Sequence, residues 1–197
     1  MARILIIFAH PALHKSQANS RLLAAVSHLP NVTIRDIYQI YPSGYIDVLA
    51  EQALLREHDI LVFQHPFYWY SCPALLKEWI DLVLTRGYAY AADPELKLPL
   101  TACLSVITTG GSIGSYRDGG YNQYPIRDFL LPFEQTARLC DMEYLPPFIL
   151  DSVNKNADFS RFEQVATRYR EVIIQLRDET FDFSAIRQLS YLHPVGP

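Results

Sequence analysis

The run Ala2-Arg-Ile-Leu-Ile-Ile-Phe-Ala9 is apolar at alternate and intervening positions alike, and His10-Pro11-Ala-Leu-His-Lys-Ser16-Gln-Ala-Asn19-Ser20 breaks it at once with a polar loop. A strand without a polar face belongs in the middle of a parallel sheet, covered by helices on both sides. Further strands are expected at Val32–Asp36, Asp59–His65 and Leu100–Thr108, with a fifth at Met142–Leu150 around Pro146-Pro147. Between them the periodicity predicts helices at Asn19–Leu29, after Asp47 as N-cap, at Pro73–Leu84, at Ile126–Leu139 and at Phe159–Arg177. Parallel neighbours require crossovers, so five strands alternating with helices imply an α/β fold with a doubly wound parallel sheet.

At 197 residues the chain suits one domain, over residues 1–178, followed by a tail at 179–197. The tail carries Phe181, Phe183, Ile186, Leu189, Tyr191 and Leu192 at near-helical spacing. Such an apolar set needs cover, from its own domain or from a dimer partner. The net charge of −4 leaves no cationic excess to neutralise phosphates, so no nucleic-acid partner is expected. Cys72, Cys103 and Cys140 form no C-x-x-C pair, and the six histidines show no ligand spacing, so no metal site is expected. No apolar run is long enough to span a bilayer, which leads to an expectation of a cytoplasmic protein.

In such a sheet the ligand lies beyond the carboxyl ends of the strands, where the order of connection reverses. The loops after strands one, three and four should meet there, and they are the distinctive ones. The first, His10–Ser20, aims Ser16, Asn19, Ser20 and the N–H groups of a helix start at one point, with His10 as a further donor. On its own this loop leaves an ordinary helix cap and a phosphate site equally open. The second, His65-Pro66-Phe67-Tyr68-Trp69-Tyr70-Ser71-Cys72-Pro73, sets four consecutive aromatics between prolines. Rings held at a cleft offer a flat surface to a planar ligand, although Phe67 and Trp69 could instead cap the sheet as core residues. The third, Thr108-Thr109-Gly110-Gly111-Ser112-Ile113-Gly114-Ser115-Tyr116, lets the backbone approach a ligand and donate to ring carbonyls and nitrogens. A phosphate loop, an aromatic wall and a backbone-donor loop are what flavin mononucleotide (FMN) needs. A Ser-His-Asp hydrolase is not indicated, because no G-x-S-x-G elbow is present.

These residues resemble a known family, the flavodoxin-like NAD(P)H:quinone oxidoreductases. Glu51–Asp81, Ile37–Pro42 and Ala9-His10-Pro11 are especially similar to its members that serve as ancillary proteins of glutathione-regulated potassium-efflux antiporters. The resemblance covers roughly residues 2–175. It implies a five-stranded flavodoxin-like sheet of order 2-1-3-4-5 with helices on both faces. It implies phosphate contacts at His10, Ser16, Gln17, Ala18 and Asn19, and contacts to the flavin ring at Pro66, Phe67, Tyr68, Trp69 and Tyr70 and at Thr108, Thr109, Gly110, Gly111 and Tyr116. Catalytic assistance is implied at Tyr116 and at Asn122. Asn122 stands where the mammalian-type enzymes carry a His, and an amide carries no proton as imidazole does. Tyr90 matches a substrate-pocket tyrosine, in a pocket that the second subunit of a homodimer completes.

The function so implied is two-electron hydride transfer from NAD(P)H to a quinone-type acceptor by a ping-pong cycle, with FMN or FAD as the flavin. The alternative is a flavin-bearing regulatory subunit, docked peripherally on a potassium/proton antiporter at the inner face of the membrane, with feeble turnover or none. A plain electron carrier is a third reading, disfavoured because −4 is a mild charge for the acidic face such carriers use.

Overall fold

The computed structural model describes residues 1–91, 93–153 and 159–192. Its sheet has the parallel strands β1 (Ile4–Phe8), β2 (Val32–Asp36), β3 (Ile60–Pro66) and β4 (Ala102–Thr108). Two short strands, β5 (Glu143–Tyr144) and β6 (Phe148–Leu150), both pair with β4. The order is β2-β1-β3-β4-β5, the doubly wound arrangement expected from the sequence. The fifth strand is thus one path in two pieces. Pro146 and Pro147 lack the N–H that a continuous ladder would need there.

Alternation along the strands sorts the core into two halves. Leu5, Ile7, Leu61, Phe63, Cys103 and Ile107 face one side, with α3 (Val48–Arg56), α4 (Ala74–Val83) and α6 (Leu131–Leu139). Ile4, Ile6, Phe8, Val62, Leu104 and Val106 face the other, with α1 (Gln17–Val26) and α7 (Phe159–Arg177). β1 and β3 are buried along their whole length, as strands apolar on both faces must be.

Three boundaries differ from the sequence expectation. The helix expected at Asn19–Leu29 runs Gln17–Val26, because Ser16 rather than a later residue caps it. One turn of helix, α2 (Ile37–Ile40), stands between β2 and α3, where the sequence reading placed no element; Asp36 caps it by accepting from Gln39 N–H. The helix expected at Ile126–Leu139 breaks at Leu130 into α5 (Ile126–Phe129) and α6. Pro132 cannot donate to the carbonyl four residues back and its ring crowds that carbonyl, so an unbroken helix is excluded. In the tail, α8 (Phe183–Ile186) leads to Leu192; Ile186 and Leu192 are buried against the α7 side, and Leu192 N–H donates to Pro147. Residues 193–197 of that tail lie outside the described residues.

Candidate functional site

The reversal of strand order falls between β1 and β3, and the chain leaving each strand there builds one side of a crevice. After β1, Ala9 N–H still donates to Gln64, and His10 follows, buried and stacked over Phe8. His10 Nδ1 accepts from Ala12 N–H at 3.0 Å, which places the proton of the neutral ring on Nε2. Burial lowers the His10 pKa, so near neutral pH this ring is an uncharged donor. Ser16 then caps α1, its Oγ accepting from the backbone N–H of Asn19 at 3.1 Å. The first backbone bond of the helix is Ser20 to Ser16, so the N–H groups of Gln17 and Ala18 point out of the helix start without an intrahelical acceptor. The cap therefore does not use up the helix start: one donor is satisfied locally and two remain, at the positive end of the helix dipole. The stretch from His10 to Ser20 contains no carboxylate to oppose an anion. The Gln17 side chain itself accepts from Arg21, so only its backbone faces the crevice start.

The loop after β3 is strained. Phe67 N–H donates to Thr108, and the chain reverses at once, with Ser71 N–H donating back to Tyr68. The two residues at the tip, Trp69 and Tyr70, have φ of 48° and 61°. This is the backbone of a tight hairpin turn that Asn-Gly usually fills. Two bulky aromatics in the left-handed region cost about 1–2 kcal/mol each. The turn presents its rings outward: Trp69 is 93% exposed, and Tyr68 and Tyr70 are also exposed. Phe67 alone packs on the core, so the core-capping reading holds for Phe67 and fails for Trp69.

The loop after β4 is laced to the chain beyond β6. Thr109 N–H donates to Leu150, Ser152 N–H to Gly111, and Val153 N–H to Thr109. Asp151, buried, accepts from Ile113 N–H at 2.8 Å and is paired with Arg161 from α7. A Cβ added to Gly111 would come within 3.1 Å of Ser115 Oγ, so glycine lets that turn close on itself. Tyr116 follows, and burial, with Tyr70 nearby, raises its pKa; the phenol is a protonated donor at neutral pH.

Direct contacts join the three loops. Asn19 Nδ2 donates to Thr108 Oγ1 at 2.9 Å, tying the first to the third. His10 meets Tyr68 edge-on at 6.2 Å between ring centroids, tying the first to the second. Phe67 meets Tyr116 at 5.9 Å, and Tyr70 OH donates to Asn122 Oδ1 at 3.3 Å, tying the second to the third. His10, Ser16–Asn19, Pro66–Tyr70, Thr108–Gly111, Tyr116 and Asn122 thus share one rim. Tyr90 sits apart, bridged to Arg86 and packed on the core; among the described residues no side-chain hydrogen bond or ring pair links it to the three loops. Asn19 is buried, and its Oδ1 has no partner. Phe129, Asp151 and Arg161 also belong to the rim and are not evident from sequence. Their signal is tertiary: Phe129 has the periodicity of an ordinary helix residue, yet it contacts Phe67, Tyr70, Tyr116 and Tyr124 at once. Among the described residues no cluster of three His, Cys, Asp or Glu side chains could hold a metal.

Over residues 2–173 the sequence matches the Flavodoxin_2 family, which has a flavodoxin-like fold. It is 51% identical over 148 residues to the glutathione-regulated potassium-efflux system ancillary protein KefG of Yersinia enterocolitica, covering 75% of this chain and 80% of that protein. The crystal structure of general stress protein 14 from Treponema denticola, in complex with FMN, superposes with a TM-score of 0.81 at 37% identity, over 88% of this chain and 99% of that one. An NADPH-quinone reductase from P. pentosaceus superposes with a TM-score of 0.74 at 28% identity, over 86% and 96% of the respective chains.

Proposed function

The chain belongs to the flavodoxin-like fold family, and on that premise we propose that it is a flavin-dependent NAD(P)H:quinone oxidoreductase holding FMN where the three loops meet. The observation that carries this reading is the convergence itself: an anion-binding helix start, a shelf of outward-facing rings and a close-packed backbone loop lie in mutual contact on one sheet edge. The donor set fits the cofactor. The N–H groups of Gln17 and Ala18, the Ser16 hydroxyl and His10 Nε2–H suit a phosphate dianion. Tyr68, Trp69 and Tyr70 supply the flat side, and the backbone from Thr108 to Gly111 supplies donors for the polar edge of the ring. The FMN complex of the Treponema denticola relative supports FMN over FAD.

Bound there, FMN would supply two-electron chemistry, taking hydride from NAD(P)H and giving it to a quinone that enters the same place after NAD(P)+ leaves. The protein's own part is placement and electrostatics. The rigid rim orients the reactants, and the backbone donors from Thr108 to Gly111 together with the Tyr116 phenol stabilise negative charge developing on the ring. The exposure of Trp69, Tyr121 and Tyr124 supports a homodimer in which a second copy covers this rim and brings Tyr90 toward the acceptor.

The second reading, a flavin-bearing ancillary subunit docked on a potassium antiporter, draws on the KefG relatives and on Asn122 in place of a proton-carrying His. No described helix is long and apolar enough to cross a membrane, so such docking would be peripheral.

The deciding measurement is the absorbance spectrum of the purified protein, with the released cofactor weighed by mass spectrometry, before and after NADPH. Yellow protein that bleaches with NADPH and recovers with menadione establishes the reductase. Yellow protein that bleaches slowly and ignores menadione favours the subunit. Colourless protein that fails to take up added FMN overturns both.

A further inference from the structure

At the turn of Trp69 and Tyr70, two consecutive residues of the rim depart from what they would adopt unaided. Neither residue is Gly, Asn or Asp, yet both occupy the left-handed region in succession. Such a conformation persists only where the surroundings hold it. Trp69 contributes nothing to that hold, since its side chain is 93% exposed. Of these two residues the anchor is Tyr70, and its contacts are specific. Its ring stacks on Phe129 at 5.2 Å with 29° between planes, and meets Phe67 edge-on. Its hydroxyl donates to Asn122 Oδ1.

Asn122 is itself fixed from two further directions. Its backbone N–H donates to the Ser115 carbonyl at 3.0 Å, and its Nδ2 donates to Ser115 Oγ at 2.8 Å. Ser115 Oγ in turn donates to the Ser112 carbonyl at 2.7 Å. A continuous chain of hydrogen bonds thus runs from the aromatic turn through Asn122 into the 3-10 turn Ile113–Ser115, the one that presses against Gly111. The donor–acceptor order also settles the amide's orientation: Tyr70 and Ser115 demand opposite ends of it, and only an Asn or a close mimic satisfies both.

We propose that Asn122 is a positioning residue: it latches the strained aromatic turn to the glycine loop and holds Tyr68, Trp69 and Tyr70 in the outward pose before any ligand arrives. The proposal rests on the flavin reading only for the ligand's identity; the latch exists in the protein alone. The role differs from proton relay. An amide at this position fixes a neighbour and transfers nothing, so the replacement of imidazole exchanges one function for another.

The protein carries its own reporter. Of the two tryptophans, Trp69 rides on the latched turn and Trp79 is wholly buried, so fluorescence anisotropy decay excited at 295 nm separates fast local motion of Trp69 from tumbling of the whole. In flavin-free protein, Tyr70→Phe and Asn122→Ala should each enlarge the fast component that the exposed Trp69 already has, and the double variant should enlarge it no more than either alone. Asn122→Asp should restore the slow decay only in part, since a carboxylate still accepts from Tyr70 but cannot donate to Ser115 Oγ, whose own hydrogen goes to the Ser112 carbonyl. In FMN titrations, Tyr70→Phe and Asn122→Ala should weaken binding by a similar factor, about threefold to tenfold for one net hydrogen bond. Additive effects, or a Trp69 in Asn122→Ala as slow as in the parent, overturn the latch. So does a loss of FMN affinity with Trp69 motion unchanged, because Asn122 would then touch the ligand instead of the turn. Should Asn122→Ala fail to fold, Tyr70→Phe and Asn122→Asp still decide the matter, because both keep the packing. A parent protein that binds no FMN removes the flavin reading and leaves the anisotropy arm intact.

Discussion

His65 illustrates how much one side chain at the sheet edge can govern. It is fully buried and stacked on Phe133 at 5.5 Å, and its Nδ1 donates to its own Pro66 carbonyl. Nε2 is left as a bare acceptor with no donor in reach. Burial drives its pKa down to about 4. In the unfolded chain the same imidazole titrates near 6.5, so below that pH the unfolded state takes up a proton that the folded state refuses. Stability should fall as pH drops from 6.5 toward 4, by about 1.4 kcal/mol per pH unit from this group, and level off for it below that window. Urea midpoints measured at pH 7, 6 and 5 should show the decline, and His65→Leu should flatten it while leaving the smaller contribution of His10, which is shifted the same way. A His65→Leu profile as steep as the parent's would locate the acid sensitivity elsewhere. The sequence marked His65 only as the end of a strand, because neither its burial nor its unmet nitrogen has a local signature.

At the scale of elements, the side opposite α1 and α7 is fastened by one buried carboxylate. Glu51 of α3 accepts from Tyr41 OH at 2.6 Å, from Trp79 Nε1 of α4 at 3.0 Å and from Arg35 of β2, and is itself inaccessible to solvent. Burial and the carboxylate together push the Tyr41 phenol up to about 12, so it stays a donor. Removing the carboxylate would strand a guanidinium, an indole N–H and a hydroxyl. Glu51→Ala should therefore cost about 3–5 kcal/mol in urea unfolding, against about 1 kcal/mol for Tyr41→Phe, which removes one neutral donor. Near-equal costs would show that Arg35, whose side chain is 23% exposed, rehydrates without penalty. The elements themselves were legible because burial on both faces leaves an unambiguous apolar run, as in β1, β3 and β4. What escaped had a local cause that periodicity overlooks: Pro132 interrupts a stretch whose apolar spacing continues through it, and α2 is a single turn, too short to show a period. For the rim, the three loops could be read from their composition and their place after the strands. Phe129 and Asp151 could not, since they act through Phe67, Tyr70 and Ile113, far along the chain.

For the whole molecule, the two halves of the core meet a ligand site that belongs to neither. Anything bound at the rim and absent from the unfolded state shifts the global equilibrium by mass action. FMN at one hundred times its dissociation constant should add about 2.7 kcal/mol, roughly 5–10 °C in melting temperature for a domain of this size. Riboflavin, which lacks the phosphate, should give a clearly smaller shift at the same concentration, because the Gln17 and Ala18 N–H groups and His10 would go unused. Equal shifts would dissociate the α1 start from cofactor binding. One earlier detail bears on how such a ligand is received. A single amide, Asn19, joins the cap of α1 to the end of β4 through Ser16 and Thr108. Helix and strand are therefore tied before any ligand arrives, like a mortise cut before the tenon is fitted, and an incoming phosphate would meet a socket whose ordering entropy folding has already spent.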